Sequence, residues 1–459
     1  MARASIYRRV SRAIARALAP EMGVRRFDAA GWQRFPREAR MNRTATETIA
    51  AAPRIRSKAR YYVNNEPFAA AGVAALVTYA VGYGPTPAHE RAEEFKQWAA
   101  LCDADGRTDF GGIIANAVRA MAVDGESFVQ FLQRPDGLRL RLIPAEQIDE
   151  SKSAELSGGA FIAAGVEFDA QGNRVAYWVR PYLPTAQFET YAPPVRVEAA
   201  DVLHLMRPVG VGQIRGVSWL APIMLRLADL GLLSDALLKG FQVAAMHAGF
   251  LTDANGAAQL PFDGEKNSDG ELEVSLEPGT VRRLPAGYDI KFSQPTAAQQ
   301  SIEFRTSIVE EIAAGLGVPA FMVSANVSRA NYSSLRAALI TFKATLETLQ
   351  FNVIVPQLLA PIWARWALVD SLRNGGEEPI NGSALAEWRF PPAPEADAVK
   401  AAQAQTLLLK ARIISRKEAI EERGESIERV DSDWEADTFA AEVANENDAP
   451  DDKEDSNAE

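Results

Sequence analysis

Residues 218–248 read SWLAPIMLRLADLGLLSDALLKGFQVAAMHA, and this stretch decides the fold more than any other. Apolar residues spread around the predicted helix, and its main charges are Arg226, Asp229, Asp235 and Lys239. A helix of about thirty residues extends about 45 Å, at 1.5 Å per residue. Its apolar surface is too wide for a helix that stands alone in water, so we expect it to pack on neighbours along most of its length.

The residues that follow leave this helix and lead into a second one. A short β-rich excursion is predicted for 249–296, and a helix for 297–315. Pro319 prevents that helix from continuing, because proline lacks the N–H that a helical hydrogen bond requires. The pattern therefore predicts two long helices that flank a small β-rich unit and hold it away from the body.

A third long helix is predicted to begin at Ser333. Pro356 and Pro361 lie within its apolar run, and prolines inside a helix are a common cause of kinks. A final helix pair is expected at 394–412 and 415–424. The sequence after this pair has the polar, acidic composition of disorder.

The part of the chain before residue 218 has a different pattern. Three helices are predicted here, at 64–82, 87–101 and 109–123. Asp109 is a plausible N-cap for the third helix. Alternating apolar residues then predict two β-hairpins, with turns at Asp136-Gly137 and Gly172-Asn173. Helices followed by antiparallel strands indicate an α+β domain.

The composition, with 47% hydrophobic and 24% charged residues, is typical of a globular protein. The single cysteine, Cys102, excludes an intrachain disulfide. One cysteine and three separated histidines (His89, His204 and His247) do not form a zinc pattern. We therefore expect no metal and no cofactor. No apolar run in the sequence suggests a bilayer-spanning segment, and we expect no membrane partner.

Charge is distributed unevenly around a formal net value of −11. Residues 1–60 carry fifteen Lys and Arg against four Asp and Glu, whereas 418–459 carry three against seventeen. This asymmetry allows a nucleic acid or an acidic partner near the first end. Both ends can equally be solvated tails.

Two features invite a catalytic interpretation, and neither has the required spacing. Gly210, Gly212 and Gly216 miss the dinucleotide-binding pattern by one residue, and no Lys-Ser or Lys-Thr follows to make a phosphate loop. Glu303 and Glu310 share a helix face, but a solvated acidic face explains them more simply. We expect a non-enzymatic protein, although an enzyme acting on nucleic acid or peptide through a spatially assembled site stays open.

Six segments stand out in order along the chain: KARYYVNNEPFAAAGVAALVTYAVGYG from residue 58, VDGESFVQF (123–131), GVEFDAQGNRVAYWV (165–179), HLMRPVGVGQIRGVSWLAPIMLRLADLGLLSDALL from residue 204, LEPGTVRRLPAGYDIKF from residue 276, and GLGVPAFMVSANVSRANYSSLRAALI from residue 315. Together these six segments resemble the portal proteins of lambda-type tailed phages. The last is the most specific, because it ends in the Asn-Tyr-Ser-Ser-x-Arg signature at Asn331 to Arg336. Each motif alone is weak, but six in order over about 300 residues are a strong signal.

The resemblance implies an α+β portal fold with a wing of helices plus antiparallel sheet, a long-helix stem, a small β-rich clip and a helical crown. The implied segments are a basic N-terminal arm (1–58), the first part of the wing (59–217), a stem helix (218–248), the clip (249–296), a second stem helix (297–316), a tunnel loop (317–333), a kinked long helix that returns through the wing (334–393), the crown (394–430) and an acidic, disordered tail (431–459).

The resemblance also implies a function. Twelve copies would form a ring at one capsid vertex, through which double-stranded DNA is packaged, retained and ejected without sequence specificity. The implied partners are the terminase large subunit, a major capsid or scaffolding protein and a head–tail adaptor. The protein would reside in the virion, after assembly in the host cytoplasm. A different ring-forming head–tail connector is the alternative.

Two groups of residues are candidates for contacts. By resemblance, Asn326, Ser328, Arg329 and Asn331 point into the channel, where short polar side chains and one cation can touch phosphates without reading bases. The alternative is an ordinary helix connection in which Val323 and Val327 fill the core. The second group consists of the four cations of the clip, expected to dock terminase and adaptor: Lys266, Arg282, Arg283 and Lys291.

Overall fold

A computed structural model describes residues 44–181, 192–246, 250–252, 265–266, 272–273, 282–284, 297–328, 331–373, 386–392, 398–421, 423, 425 and 427–437. The fold is α+β, with helices first and antiparallel sheets after them, as the sequence predicts.

The first two helices, α1 (Thr44–Asn65) and α2 (Pro67–Val81), form a nearly continuous pair. Ala51, Ala52 and Ile55 of α1 are buried in the main core. Residues 44–58 therefore belong to the folded body, and the predicted arm boundary at residue 58 lies too far along the chain. Charge alone suggested a solvated arm, whereas the buried face of α1 shows packing.

A short strand and two more helices complete the helical layer. They are β1 (Thr86–Ala88), α3 (Ala92–Ala99) and α4 (Phe110–Asp124). The side chain of Asp109 accepts a hydrogen bond from the N–H of Gly112 at 2.9 Å, which confirms the predicted N-cap. β1 pairs antiparallel with β14 (Glu387–Arg389), from much later in the chain.

Two antiparallel sheets follow α4. A three-stranded sheet has the order β3-β2-β9, formed by β2 (Glu126–Arg134), β3 (Gly137–Ile143) and β9 (Val202–Met206). A five-stranded sheet runs in sequence order through β4 (Ala154–Glu155), β5 (Phe161–Ala163), β6 (Val166–Phe168), β7 (Arg174–Val179) and β8 (Val195–Glu198). Both predicted hairpins are confirmed, as β2–β3 and β6–β7.

The two predicted stem helices are α5 (Met224–Met246) and α6 (Ala297–Leu316). They contact each other, and the Arg226 Nε donates to Glu311 at 2.7 Å across the pair. Of the chain between them, the structure describes β10 (Phe250–Thr252), β11 (Glu265–Lys266), β12 (Leu272–Glu273) and β13 (Arg282–Leu284). β10 pairs parallel with β13, and β11 pairs antiparallel with β12.

A short helix, α7 (Ala320–Ser324), leads to one long helix made of three parts. These are α8 (Tyr332–Leu349), a π-helical stretch (Gln350–Leu359) and α9 (Ala360–Arg373). Pro356 lies inside the π-helical stretch, and π-helical turns, like prolines, are sites where long helices commonly bend. The helix continues through both prolines, and the kinks stay a prediction.

The predicted crown contains three helices instead of two: α10 (Ala398–Lys410), α11 (Arg416–Glu421) and α12 (Ile427–Ala436). The last of them extends past the predicted crown boundary at residue 430. The expected tail beyond Asp437 lies outside the described residues.

One helix, 333–373, is long and apolar enough to cross a membrane by length and composition, which the sequence analysis did not anticipate. Its second half forms part of the main core, where Leu358, Ile362, Trp363 and Trp366 are buried. Packing of this kind explains the apolar composition without a bilayer, and the absence of a membrane partner stays a prediction.

Candidate functional site

The predicted channel loop connects α7 to α8 and has an ordered polar turn. Asn326 Oδ1 accepts hydrogen bonds from the backbone N–H and the hydroxyl of Ser328, at 3.0 and 2.7 Å. The N–H of Asn326 donates to Ser324 Oγ at 3.2 Å. Asn326 and Ser328 are exposed, but their polar atoms are partly occupied by each other.

Asn331 has a structural role that the sequence analysis did not assign. It caps α8: its side chain accepts from the Ser334 N–H at 2.8 Å, and the Asn331 N–H donates to Ser334 Oγ at 3.0 Å. This reciprocal pair is a capping box. Val323 is buried as the simpler alternative expected, whereas Val327 is exposed.

The remaining candidates are only partly described. Arg329 and Lys291 lie outside the described residues. Lys266 lies in β11 opposite Leu272. Arg282 and Arg283 lie in β13, opposite Phe250 and Leu251. The backbone therefore places three of the four predicted docking cations on two different strand pairs.

A buried charged cluster lies where the sheet meets the root of α5. Glu126 begins β2 and is fully buried, and Arg215 precedes α5 and is 1% exposed. Arg215 Nη2 lies 2.6 Å from Glu126 Oε1, and its Nε lies 2.9 Å from the same oxygen. We call Glu126, Arg215 and the groups bonded to them the root lock.

Arg215 ties several segments together through its remaining donors. Its Nη1 donates to the carbonyl of Ala164 at 2.7 Å, and its Nη2 donates to the carbonyl of Ala145 at 3.0 Å. Arg56 of α1 joins the cluster through Glu126 at 3.3 Å and Glu150 at 2.8 Å. One guanidinium therefore joins the beginning of α5 to β2 and to two turns of the sheet region.

Glu126 has no capacity left for a ligand. Its Oε2 accepts from the N–H of Gly216 at 2.8 Å and lies 3.0 Å from His204 Nε2. Burial alone would raise the pKa of Glu126, but the charge of Arg215 and the hydrogen bond with His204 hold it well below its usual range. Glu126 is thus an ionised, fully hydrogen-bonded carboxylate with a structural role.

The geometry fixes the tautomer of His204. Arg174 Nη1 lies 3.4 Å from Nδ1, and because a guanidinium can only donate, Nδ1 acts as acceptor. The proton is then on Nε2, which donates to Glu126. Burial lowers the pKa of His204, and the charges of Arg174 and Arg215 oppose its protonation against the attraction of Glu126. His204 is therefore neutral, and it stacks on Phe128.

Two glycines allow the root lock to close. A Cβ at Gly125 would lie 2.4 Å from the carbonyl carbon of Val217, and one at Gly216 would lie 2.1 Å from the oxygen of Gly125. Gly125 also has a φ of +95°, which favours glycine. The two chain segments approach each other as bare backbone.

The position of Glu126 in its strand is itself a signal that its carboxylate is buried. Residues two apart in a strand share a face, so Glu126 lies on the same side as Phe128, which is completely buried. A carboxylate on a buried face needs a cationic partner. The only missing information was that Arg215, 89 residues later, supplies it.

Beside the root lock lies an open groove of about 580 Å³. Its three arginines, Arg56, Arg60 and Arg180, each pair with carboxylates. Arg60 bonds to Asp124 at 2.7 Å and to Glu146 at 2.8 Å. The groove therefore offers no unpaired arginine to an anionic ligand. Within the described ranges, no group of three or more His, Cys, Asp or Glu is placed to hold a metal ion.

The pair of helices α5 and α6 exposes apolar side chains. On α5, Leu232 is 70% exposed, and Leu238 and Phe241 are more than half exposed. On α6, Ile302 is 59% exposed and Phe304 61%. Large apolar side chains exposed along both helices are typical of surfaces that another protein covers.

Comparison with known proteins identifies the family. The family model described as phage portal protein, lambda family, matches residues 29–350. The probable portal protein of Halomonas phage phiHAP-1 is 26% identical over 294 residues, which are 61% of this chain and 56% of that protein. Portal protein B of Escherichia phage lambda is 26% identical over 278 residues, 54% of this chain and 51% of that protein. The chain thus matches about half the length of these relatives.

Solved structures give more distant similarities. A chain from the virion of a native gene transfer agent particle has 16% identity and a TM-score of 0.45, covering 80% of this chain and 92% of that one. An HK97 family phage portal protein from Corynebacterium diphtheriae has 13% identity and a TM-score of 0.31, covering 68% and 89%. The family match extends over more than half of the sequence, and the chain belongs to the lambda family of phage portal proteins.

Proposed function

We propose that copies of this chain form a closed ring at one capsid vertex, and that double-stranded DNA passes through its central channel during packaging, retention and ejection. Family membership supports the portal role. The ring of twelve follows from the resemblance of the sequence motifs. A non-enzymatic role agrees with the family and stays a prediction.

The observation that carries the ring proposal is the apolar surface on opposite sides of α6. Ile302 and Phe304 are two residues apart, so their side chains point about 200° apart around the helix. Both are about 60% exposed. A two-fold dimer would cover one patch on each copy, whereas a head-to-tail contact uses two different surfaces and repeats until the ring closes.

Charge supports loose handling of DNA in the channel. Residues 219–316 carry seven Lys and Arg against thirteen Asp and Glu. Each Lys or Arg that contacts a phosphate adds a salt-sensitive interaction with DNA. A channel wall that is mainly acidic therefore has few sites that bind the moving DNA tightly. We propose that Asn326, Ser328 and Arg329 touch the DNA backbone. Asn331, which also caps α8, is the fourth proposed contact.

The clip is proposed as the docking site for terminase and then for the head–tail adaptor. Its four cations, Lys266, Arg282, Arg283 and Lys291, are accompanied by eight acidic residues, which suits contacts steered by charge. A major capsid or scaffolding protein is the further proposed partner. The proposed location is the virion, with assembly in the host cytoplasm.

The ring can be tested with the variant Phe304→Asp. A carboxylate placed in a contact between copies is buried without a partner, and this costs several kcal/mol per copy, by order of magnitude. We expect wild-type protein to show rings with a central hole in negative-stain images, and Phe304→Asp to remain monomeric in native mass spectrometry. Leu232→Asp should act in the same direction; Leu233 packs on the core of its own chain and is a poor probe.

Leu372→Asp is the matched control, because Leu372 is equally exposed, at 61%, but lies at the end of α9. Its rings should persist. Intact rings of Phe304→Asp would contradict the interface. Absence of rings from the wild-type protein at every concentration would contradict the proposed function.

The DNA contact can be tested with Arg329→Ala. Loss of one weak phosphate contact per copy should leave ring assembly unchanged and increase the leakage of packaged DNA, most clearly at low salt. Leakage from filled particles is compared with wild type over a range of salt concentrations. Equal leakage throughout, with intact rings, would show that Arg329 does not contact DNA.

A further inference from the structure

The glycine-rich segment around Gly210 and Gly212, which lacks the spacing of a nucleotide-binding loop, has an unusual surface. Residues 209–212 connect β9 to the root lock, with the sequence Val-Gly-Val-Gly. The side chain of Val211 is fully exposed, at 104%, and Val209 is 59% exposed. A loop usually exposes polar residues, so two neighbouring valines directed to solvent need an explanation.

A buried glutamine holds this loop in place. Gln213 Oε1 accepts from the N–H of Val209 at 2.7 Å, and Gln213 Nε2 donates to the carbonyl of Arg215 at 2.8 Å. Gln213 is 5% exposed. Its amide closes the loop on one side and binds the root lock on the other.

Backbone conformation contributes to the same result. Gly212 has a φ of +78°, a conformation that disfavours other residues, and it turns the chain back toward Gln213. The two valines thus lie at the tip of a closed loop whose base is fixed to the buried cluster. A loop that is ordered before it binds loses less conformational entropy on binding.

The chemistry of the tip selects its partner. No side chain between residues 208 and 212 is charged or can form hydrogen bonds, so the side chains of the tip add no contact to a phosphate group. Membrane-surface binding would require a broad apolar face with flanking cations, which a tip of two valines does not provide. An apolar recess on a protein is the surface that fits.

We propose that the 209–212 loop is an apolar plug that inserts into a neighbouring copy of this chain in the ring. The loop leads through Arg215 and a short 3-10 turn (Ala221–Ile223) into α5, whose exposed leucines and phenylalanine belong to the proposed contact surface. A head-to-tail contact joins two different surfaces, so a loop that projects from one copy can insert into a recess on the next. This inference rests on the proposed ring.

The test uses Val211→Cys. Cys102 is completely buried, and burial raises the pKa of its thiol to about 12, so the introduced thiol is the reactive one in the folded chain. The rate of maleimide labelling is measured in assembled rings and in isolated subunits, which are obtained with Phe304→Asp. We expect labelling to be at least about tenfold slower in the ring, as for a group buried in a contact of even modest stability.

Val195→Cys is the control, because Val195 is half-exposed in β8 and is expected to be labelled at the same rate in both states. A photocrosslinker attached to the thiol of Val211→Cys should link neighbouring copies covalently in the ring. The plug would be overturned if the thiol of Val211→Cys reacts as fast in rings as in subunits and crosslinks only within its own chain. That result would leave the ring proposal standing. A chain that forms no rings at any concentration would overturn both.

Discussion

The root lock and the loop between α7 and α8 are both polar, but the root lock is buried and the loop is exposed. Glu126 accepts hydrogen bonds from four residues, and none of its surface meets water. Asn326 and Ser328 bond mainly to each other and are exposed. The root lock is a fixed part of the core, whereas the exposed turn can exchange its hydrogen bonds with water.

Desolvation explains why the two regions differ in their tolerance of change. A buried charge that loses its partner cannot recover hydrogen bonds from solvent. The free energy of unfolding therefore falls by the full desolvation penalty of that charge. An exposed side chain that loses its partner is rehydrated. Mutations should therefore separate the two regions clearly, and the effects should be largest at Arg215.

Arg215→Met should have the largest effect on stability. The methionine keeps much of the side-chain volume but leaves Glu126 buried without its main cation. We expect the free energy of unfolding to fall by about 3–5 kcal/mol, measured by urea denaturation. Arg416→Met is the control, since the Arg416–Asp431 pair is exposed and its loss should not change stability measurably. Similar losses of unfolding free energy in the two variants would contradict the expected difference between the buried and the exposed ion pair.

The pH dependence of stability should depend on His204. Its pKa is lowered in the folded chain, so the unfolded chain binds the extra proton first, and stability is lost as the pH falls below the ordinary histidine value of about 6.5. The slope for one proton is about 1.4 kcal/mol per pH unit at most. His204→Gln should flatten the decline between pH 7 and pH 5 in thermal unfolding.

Glu126 acts in the same direction at lower pH. Because its pKa is depressed in the folded state, its contribution is complete above about pH 4.3 and is lost as the pH falls further. The two residues therefore affect separate pH ranges. An unchanged slope between pH 7 and pH 5 in His204→Gln would mean that His204 is not the group that titrates.

The smallest effects are expected in the polar loop, and they should differ between its residues. Asn331→Ala removes the cap of α8 and should lower the free energy of unfolding by about 1 kcal/mol. Asn326→Ala, five residues away in an exposed turn, should change it by less than about 0.5 kcal/mol. Equal effects in urea denaturation would show that the capping box does not distinguish them.

Local patterns in the sequence predicted the elements that depend on neighbouring residues. Asp109 was recognised as a cap because its partner, Gly112, lies three residues away. The hairpins were recognised from alternation and from their turns. The sequence predicts helices α5 and α6 to within a few residues at most ends because their apolar runs are long.

Features that depend on distant residues were missed. The buried face of α1 was hidden by its arginines, since Arg56 and Arg60 suggest a solvated arm until Glu126, Asp124 and Glu146 are placed beside them. The cap that Asn331 makes on α8 is not predictable from its residue type, because an N-cap and an exposed loop residue have the same polar character. Only the hydrogen bonds to Ser334 separate the two interpretations.

The contact between Gly125 and Gly216 has a consequence for how variants of this protein should be interpreted. In a library with every substitution, both positions should reject even alanine, because the added carbon would overlap backbone atoms of the opposite segment. Neither glycine offers a side chain to DNA or to a partner. Selection for function would therefore make these positions look as intolerant of substitution as a binding site. What the two glycines preserve is the close distance between two backbone segments.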